Sequence, residues 1–279
     1  MTAERHAAPA PWVLLRGLTR DSRHWEDLPA RLQAALPAGT VVRALDAAGN
    51  GARWRERSPA SVAAMTEDAR ASLAGLGLRG PVRLLALSLG AMVAVDWAAR
   101  HPQELAGAVL VNTSLRPFSA AHERLRWGCW PAVAGALIRR PDAESLERLV
   151  WRLTSARPRT AEETDALVAR WAGWRDEAPV SAANAMRQLW AAARFRAPAE
   201  PPAVPMRVLV GAGDALVHPR CSERLAAAWG LPLQRHPWAG HDLPLDDPGW
   251  VVQAACEADA AWRRAGQLRP ASTAQQATR

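Results

Sequence analysis

The sequence contains no lysine and no tyrosine, so all 35 of its basic residues are arginine. Without lysine there is no phosphate-cradling G-x-x-x-x-G-K-[ST] loop, no Schiff-base amine and no S-x-x-K nucleophile. Without tyrosine no phenol can serve as a general acid. A single isoleucine and two phenylalanines stand beside 14 tryptophans, with abundant Ala, Arg, Pro and Gly. That bias reflects GC-rich codon usage rather than function. The three cysteines, Cys129, Cys221 and Cys256, form no C-x-x-C pair. They exclude a disulfide framework and fit a reducing compartment. Met1 to Pro11 carries no apolar core of a signal peptide, and no stretch approaches the roughly 20 apolar residues that span a bilayer. The expectation is a cytoplasmic protein with no membrane attachment.

The chain has 279 residues, enough for one large α/β domain with an insertion, or for two domains, and for a full core without staples. Apolar residues make up 49% and charged residues 22%, as in ordinary soluble proteins. The formal charge of +8 admits acidic partners. The arginines alternate with Asp and Glu instead of forming runs, and no nucleic-acid-binding pattern occurs, so no nucleic-acid partner is expected.

Short apolar runs predict strands at 12–15, 41–45, 82–87, 108–111, 206–210 and 231–236. Helical spacing predicts helices over Asp21 to Leu36, with Asp21 or Ser22 as cap, and over 61–76, 89–100 and 219–229. A last helix starts near Asp247-Pro248. This alternation argues for an α/β fold, a mostly parallel sheet with helices on both faces. From Leu115 to Glu200 the rhythm breaks into helical segments with no strand. The expected organisation is therefore a core of 1–114 and 201–265, a helical insertion at 115–200, and a polar, disordered tail at 266–279.

The strongest chemical signal is Ala86-Leu87-Ser88-Leu89-Gly90. It sits where an apolar strand gives way to an apolar helix. A serine on such a turn projects its hydroxyl above the sheet, and the Leu89 amide after it can donate to a developing oxyanion. The usual pattern is G-x-S-x-G, and Ala86 is small enough to replace the first glycine. A serine hydroxyl needs a base. Gly240-His241 follows the last strand, and Gly211-Ala212-Gly213-Asp214 follows the strand before it. Ser88, Asp214 and His241 thus stand in the order nucleophile, acid, base, each just beyond the C-terminal end of a strand. Asp242 is the rival acid, but it is adjacent to His241, where side chains rarely meet well. His236 should be held by packing at the end of its strand, and His218 should begin a helix. Gly211-Ala212-Gly213 lacks the third glycine of a dinucleotide loop and comes too late in the chain. His122-Glu123 has no second histidine, so no zinc site and no metal are expected.

These stretches, together with Leu14-Leu15-Arg16-Gly17 and Asp46-Ala47-Ala48-Gly49-Asn50-Gly51, make the chain resemble the α/β-hydrolase superfamily from Trp12 to about Trp262. The resemblance implies an α/β-hydrolase fold with the helical insertion as its cap, or lid. It also implies that a backbone amide beyond the first strand is the second oxyanion donor, here Leu18 beside Leu89. Arg16 stands where that family usually has histidine. The layout is similar to small-cap carboxylesterases such as pimeloyl-carrier-protein methyl ester esterases. The implied activity is a cofactor-free serine hydrolase acting on a small-molecule carboxylic ester through an acyl-enzyme. Two rivals remain. The insertion carries 14 Arg and 10 acids, so it could dock an acidic acyl carrier protein. The fold could also serve a non-catalytic binding protein.

Overall fold

The computed structural model describes residues 9–78, 80–139 and 141–267. Six strands form one sheet: β1 (Trp12–Leu15), β2 (Val42–Leu45), β3 (Val82–Leu87), β4 (Leu105–Val111), β5 (Met206–Gly211) and β6 (Leu233–His236). Their order is β2-β1-β3-β4-β5-β6, and every pairing is parallel. All side chains of β1 and β3 are buried, while the edge strands β2 and β6 expose part of theirs. Continuous apolar runs are what a strand covered on both faces requires.

Successive residues of a strand face opposite sides of the sheet. Trp12 and Leu14 of β1 join Trp25 and Val109 under α1 (Leu28–Ala35) and α11 (Pro248–Gln267). Val13 and Leu15 join Leu84 and Trp97 under α2 (Val62–Gly75), α3 (Leu89–Arg100) and α9 (Arg220–Trp229). The chain runs from β1 outward to β2, then returns past β1 to β3. Strand order reverses there, and ligand sites of open α/β sheets lie at such a point, beyond the carboxyl ends of the strands.

Between β4 and β5 the chain forms α4 (Ala121–Arg124), α5 (Trp130–Arg139), α6 (Ala143–Thr154), α7 (Ala161–Glu177) and α8 (Ala182–Arg194). The only extended pairing there among the described residues is an isolated bridge between Arg116 and Arg196, at the base of the insertion. Asp142, Thr160 and Ser181 each accept a backbone amide of the first turn and so start α6, α7 and α8.

Four elements differ from the sequence reading. The helix expected over 21–36 is two pieces, a 3-10 turn at Ser22–Trp25 capped by Asp21, then α1. Pro29 cannot sit inside a helix continuing from Trp25, because its ring would meet the carbonyl four residues back. Strand β4 starts at Leu105, ahead of the register shift at Gly107, where the Trp262 ring leaves no room for a Cβ. Helix α11 continues to Gln267, so the tail expected from 266 does not begin there; its remainder, 268–279, lies outside the described residues. A short helix α10 (Leu243–Asp246), which the sequence pattern did not predict, precedes α11. No helix among the described residues is long and apolar enough to cross a membrane.

The start of α3 packs against the end of β1 with no spare volume. A Cβ on Gly90 would lie 2.3 Å from the Leu15 carbonyl oxygen and 2.7 Å from that of Arg16. In an open helix Gly→Ala stabilises by about 1 kcal/mol. Here Gly90→Ala is expected to destabilise by about 2 kcal/mol or more, read by urea unfolding.

Candidate active site

Ser88 joins β3 to α3 with φ 57° and ψ −113°, a conformation L-residues rarely adopt. Its backbone is held from both sides. The Ser88 N–H donates to Val111 O at 2.9 Å, and Ser88 O accepts from the amides of Ala91 and Met92. The side chain makes no capping bond to the helix, and Oγ has no hydrogen-bond partner among the described residues. Gly17 faces it from the loop after β1, where a Cβ would lie 3.3 Å from Ser88 Cβ. Leu89 is the first residue of α3, so its amide has no acceptor within the helix. The Leu18 amide likewise donates to no protein acceptor among the described residues.

The loops after β5 and β6 meet backbone to backbone. A Cβ on Gly211 would lie 2.2 Å from Ala239 O, and one on Gly213 would lie 2.1 Å from Trp238 O. This contact brings Asp214 under His241. Oδ1 of Asp214 accepts from the amides of Leu216 and Val217, and Oδ2 lies 2.7 Å from His241 Nδ1. Both residues are buried. With Nδ1–H committed to the carboxylate, Nε2 is left as the acceptor nitrogen.

His241 must travel from the edge strand. Strand β6 is three spacings from β3, roughly 14 Å. Asn112, just past β4, holds the returning loop. Its Nδ2 donates to the carbonyls of Gly240 and His241 at 2.9 and 2.8 Å, and its Oδ1 accepts the Gly211 amide. Asn112 itself has φ 44°. Asp214 and His241 are thus joined directly. Ser88 and His241 make no direct hydrogen bond and are linked through Val111 and Asn112. Sequence reasoning did not single out Asn112; its only signal is an Asn directly after an apolar strand.

Asp242, the rival acid, is engaged elsewhere. Arg16 reaches it with two nitrogens, at 2.6 and 3.1 Å, and lies over the Trp25 ring. Both side chains are almost fully buried. Burial pushes the Asp242 carboxyl up, and the Arg16 guanidinium outweighs it, so the group stays below its ordinary range. The arginine in place of the expected histidine therefore has a partner that sits next to His241. His236 is buried between Trp238 and Trp250, and His218 Nδ1 accepts the Arg220 amide at the start of α9. Burial pushes all three cysteine thiols up, away from the thiolate form. Among the described residues no group of three or more His, Cys, Asp or Glu side chains could hold a metal ion.

The insertion grips three of the site loops. On the loop after β1, Gln188 of α8 accepts the Thr19 amide, and Arg20 is buried against Glu147 of α6, which also binds Arg175. On the loop after β5, Arg126 donates to Asp214 O and Cys129 to Ala215 O. On the loop after β6, the Asp242 amide donates to Thr154 O. Asp246 accepts from Ser155, Ala156 and Gly240.

Breaking the Arg16–Asp242 pair from one side leaves an uncompensated buried charge. Arg16→Met is expected to destabilise by about 3–5 kcal/mol, and Arg16→Met with Asp242→Leu to recover most of it, measured by urea unfolding. His24 Nε2 accepts from Arg20. Burial first, then the Arg20 guanidinium, push its pKa down from 6.5 to about 4. The unfolded chain therefore binds this proton more tightly between those values. Stability should fall as pH drops from 6.5 to 4, by up to about 3 kcal/mol from this group. In His24→Asn the slope over that window should flatten, as read by unfolding at several pH values.

No curated protein matches the chain in sequence. Solved structures that resemble it include an enol-lactonase from Burkholderia xenovorans LB400, 22% identical, covering 94% of each chain, with TM-score 0.68. A thermophilic esterase from Thermogutta terrifontis is 21% identical over 93% of this chain and 91% of its own, with TM-score 0.63. A hydrolase from Pseudomonas aeruginosa PA01 is 22% identical over 92% and 91%, with TM-score 0.68. At these identities the likeness shows the fold alone. The family model of the alpha/beta hydrolases matches residues 12–254, and the chain belongs to the alpha/beta hydrolase family.

Proposed function

We propose that this hydrolase cleaves a small-molecule carboxylic ester through an acyl-enzyme on Ser88. The observation that carries the reading is Ser88 in its positive-φ turn, its side chain not spent on capping α3, at the same end of the sheet as the buried Asp214–His241 pair. His241 Nε2 takes the proton of Ser88 Oγ as Oγ bonds to the ester carbonyl carbon. The carbonyl electron pair moves onto oxygen, toward the Leu18 and Leu89 amides. Asp214 keeps the imidazole in one tautomer and stabilises its charged form. As the tetrahedral species collapses, the C–O bond to the alcohol breaks, and the alcohol leaves with the proton from His241. A water then repeats the sequence on the acyl-enzyme, releasing the acid and restoring Ser88. No cofactor enters this balance.

The esterase and the enol-lactonase of the same fold support an ester-type substrate. Part of the insertion's arginine is already engaged within the protein, which favours a free ester. Insertion arginines Arg124, Arg148, Arg159, Arg170, Arg175 and Arg187 are turned onto carboxylates, a hydroxyl and backbone carbonyls instead of standing bare for an acidic partner.

A fluorophosphonate should add once to the wild type and not to Ser88→Ala, as read by intact mass. Absence of an adduct on folded wild type would overturn the reading in favour of a binding protein. With the adduct established, Asp214→Asn should lower kcat by about 10⁴ on a p-nitrophenyl ester, since the imidazole then takes the wrong tautomer.

A further inference from the structure

We propose that Gln188, on helix α8 of the insertion, is a positioning residue for the oxyanion hole, and that together with Asn50 it sets the Leu18 amide. The inference rests on the hydrolase reading above. The loop Gly17–Arg20 has little to hold it from within, only a long bond of 3.3 Å from the Arg20 amide to Gly17 O. Yet Thr19, next to Leu18, sits at φ 56° without being glycine. Such a conformation persists only where the surroundings impose it.

Two buried amide side chains impose it. Gln188 Oε1 accepts the Thr19 N–H at 2.8 Å. Gln188 Nε2 donates to Asn50 Oδ1 at 2.8 Å, and Asn50 Nδ2 donates to Arg20 O at 2.9 Å. The three bonds close a ring around residues 19 and 20. The second hydrogen of Gln188 Nε2 goes to Ser58 Oγ at 3.0 Å. Gln188 is 1% exposed and Asn50 2%. Turning the Gln188 amide over would set an N–H against the Thr19 N–H, so the network admits one orientation.

Asn50 belongs to the loop after β2, whereas Gln188 belongs to the insertion. The insertion therefore completes the ring that holds the loop. Without the Gln188 carbonyl the Thr19 amide has no protein acceptor, the positive φ relaxes, and the Leu18 N–H turns off the carbonyl oxygen. That loss bears on the tetrahedral species and not on the bound ester, so it falls on kcat.

The test uses the full chain with p-nitrophenyl acetate and with an alkyl trifluoromethyl ketone, which forms a tetrahedral adduct on an active serine. Gln188→Met keeps the length and removes the acceptor. Its kcat should fall by about 10- to 100-fold, below the 10²–10³ ceiling for complete loss of one oxyanion donor. KM should change by less than about threefold, and affinity for the ketone should fall by the same factor as kcat. Gln188→Glu keeps an acceptor for the Thr19 amide but sets an oxygen against Asn50 Oδ1, so it should recover only part of the lost kcat. A folded Gln188→Met enzyme with unchanged kcat overturns the inference. So does a fall in kcat with ketone affinity intact. If Gln188→Met does not fold, Asn50→Leu should show the same split, and wild-type kinetics there would overturn the proposal. A wild type that takes no fluorophosphonate at Ser88 defeats the hydrolase reading itself. A wild type that labels beside a Gln188→Met that turns over normally defeats only this inference.

Discussion

The spacing between the start of α3 and the end of β1 governs the rest of the site. At Gly90 the two backbones touch, with no volume for even a methyl group. That contact places the Leu89 and Gly17–Leu18 peptides on either side of Ser88. It also forces the chain to turn from strand to helix within one residue, which is why Ser88 occupies a strained φ. The strain is sustained by rigid neighbours, the β4 carbonyl that accepts the Ser88 amide and the two helix amides that bond its carbonyl. The place of the Ser88 hydroxyl at the turn is the result of packing, not of the serine itself.

Around this rigid centre the polar groups are buried in pairs. Arg16 faces Asp242, Arg20 and Arg175 share Glu147, and His24 lies between Arg20 and Asp21. Buried ion pairs contribute little net stability, because desolvation offsets the attraction. Their effect is on register. Each carboxylate is met by charged or ring nitrogens at fixed places, so loops from distant strands are held in a single arrangement. Arginine suits this task better than lysine, since its planar fork binds a carboxylate with two nitrogens and it stays charged when buried.

Much of this was legible in the sequence. Strands β1 and β3 are read from unbroken apolar runs because both of their faces are covered. Ser88, Asp214 and His241 are read from their order and from their place beyond strand ends, and the glycines beside them mark real close approaches at Gly90, Gly211 and Gly213. The break at Pro29 was also visible, but apolar spacing over 21–36 overrode it. What could not be read were partners across the fold. Arg16 is a departure from a motif until Asp242 is beside it. Asn112 and Gln188 are ordinary polar residues until the returning loop and the insertion reach them. Periodicity reports which face of an element is covered, not which distant amide a side chain will meet.

The stitching of the insertion has a consequence for how the chain divides. A lid attached only at Arg116 and Arg196 would be a module, separable from the core in evolution and in melting. This one supplies partners to the loops after β1, β5 and β6. Excising it would strip Arg20 of its carboxylate and Asp246 of three donors from the Ser155–Arg157 stretch. The insertion is thus not a detachable module: a foreign segment in its place would have to bring its own glutamate, glutamine and carbonyls to the same places.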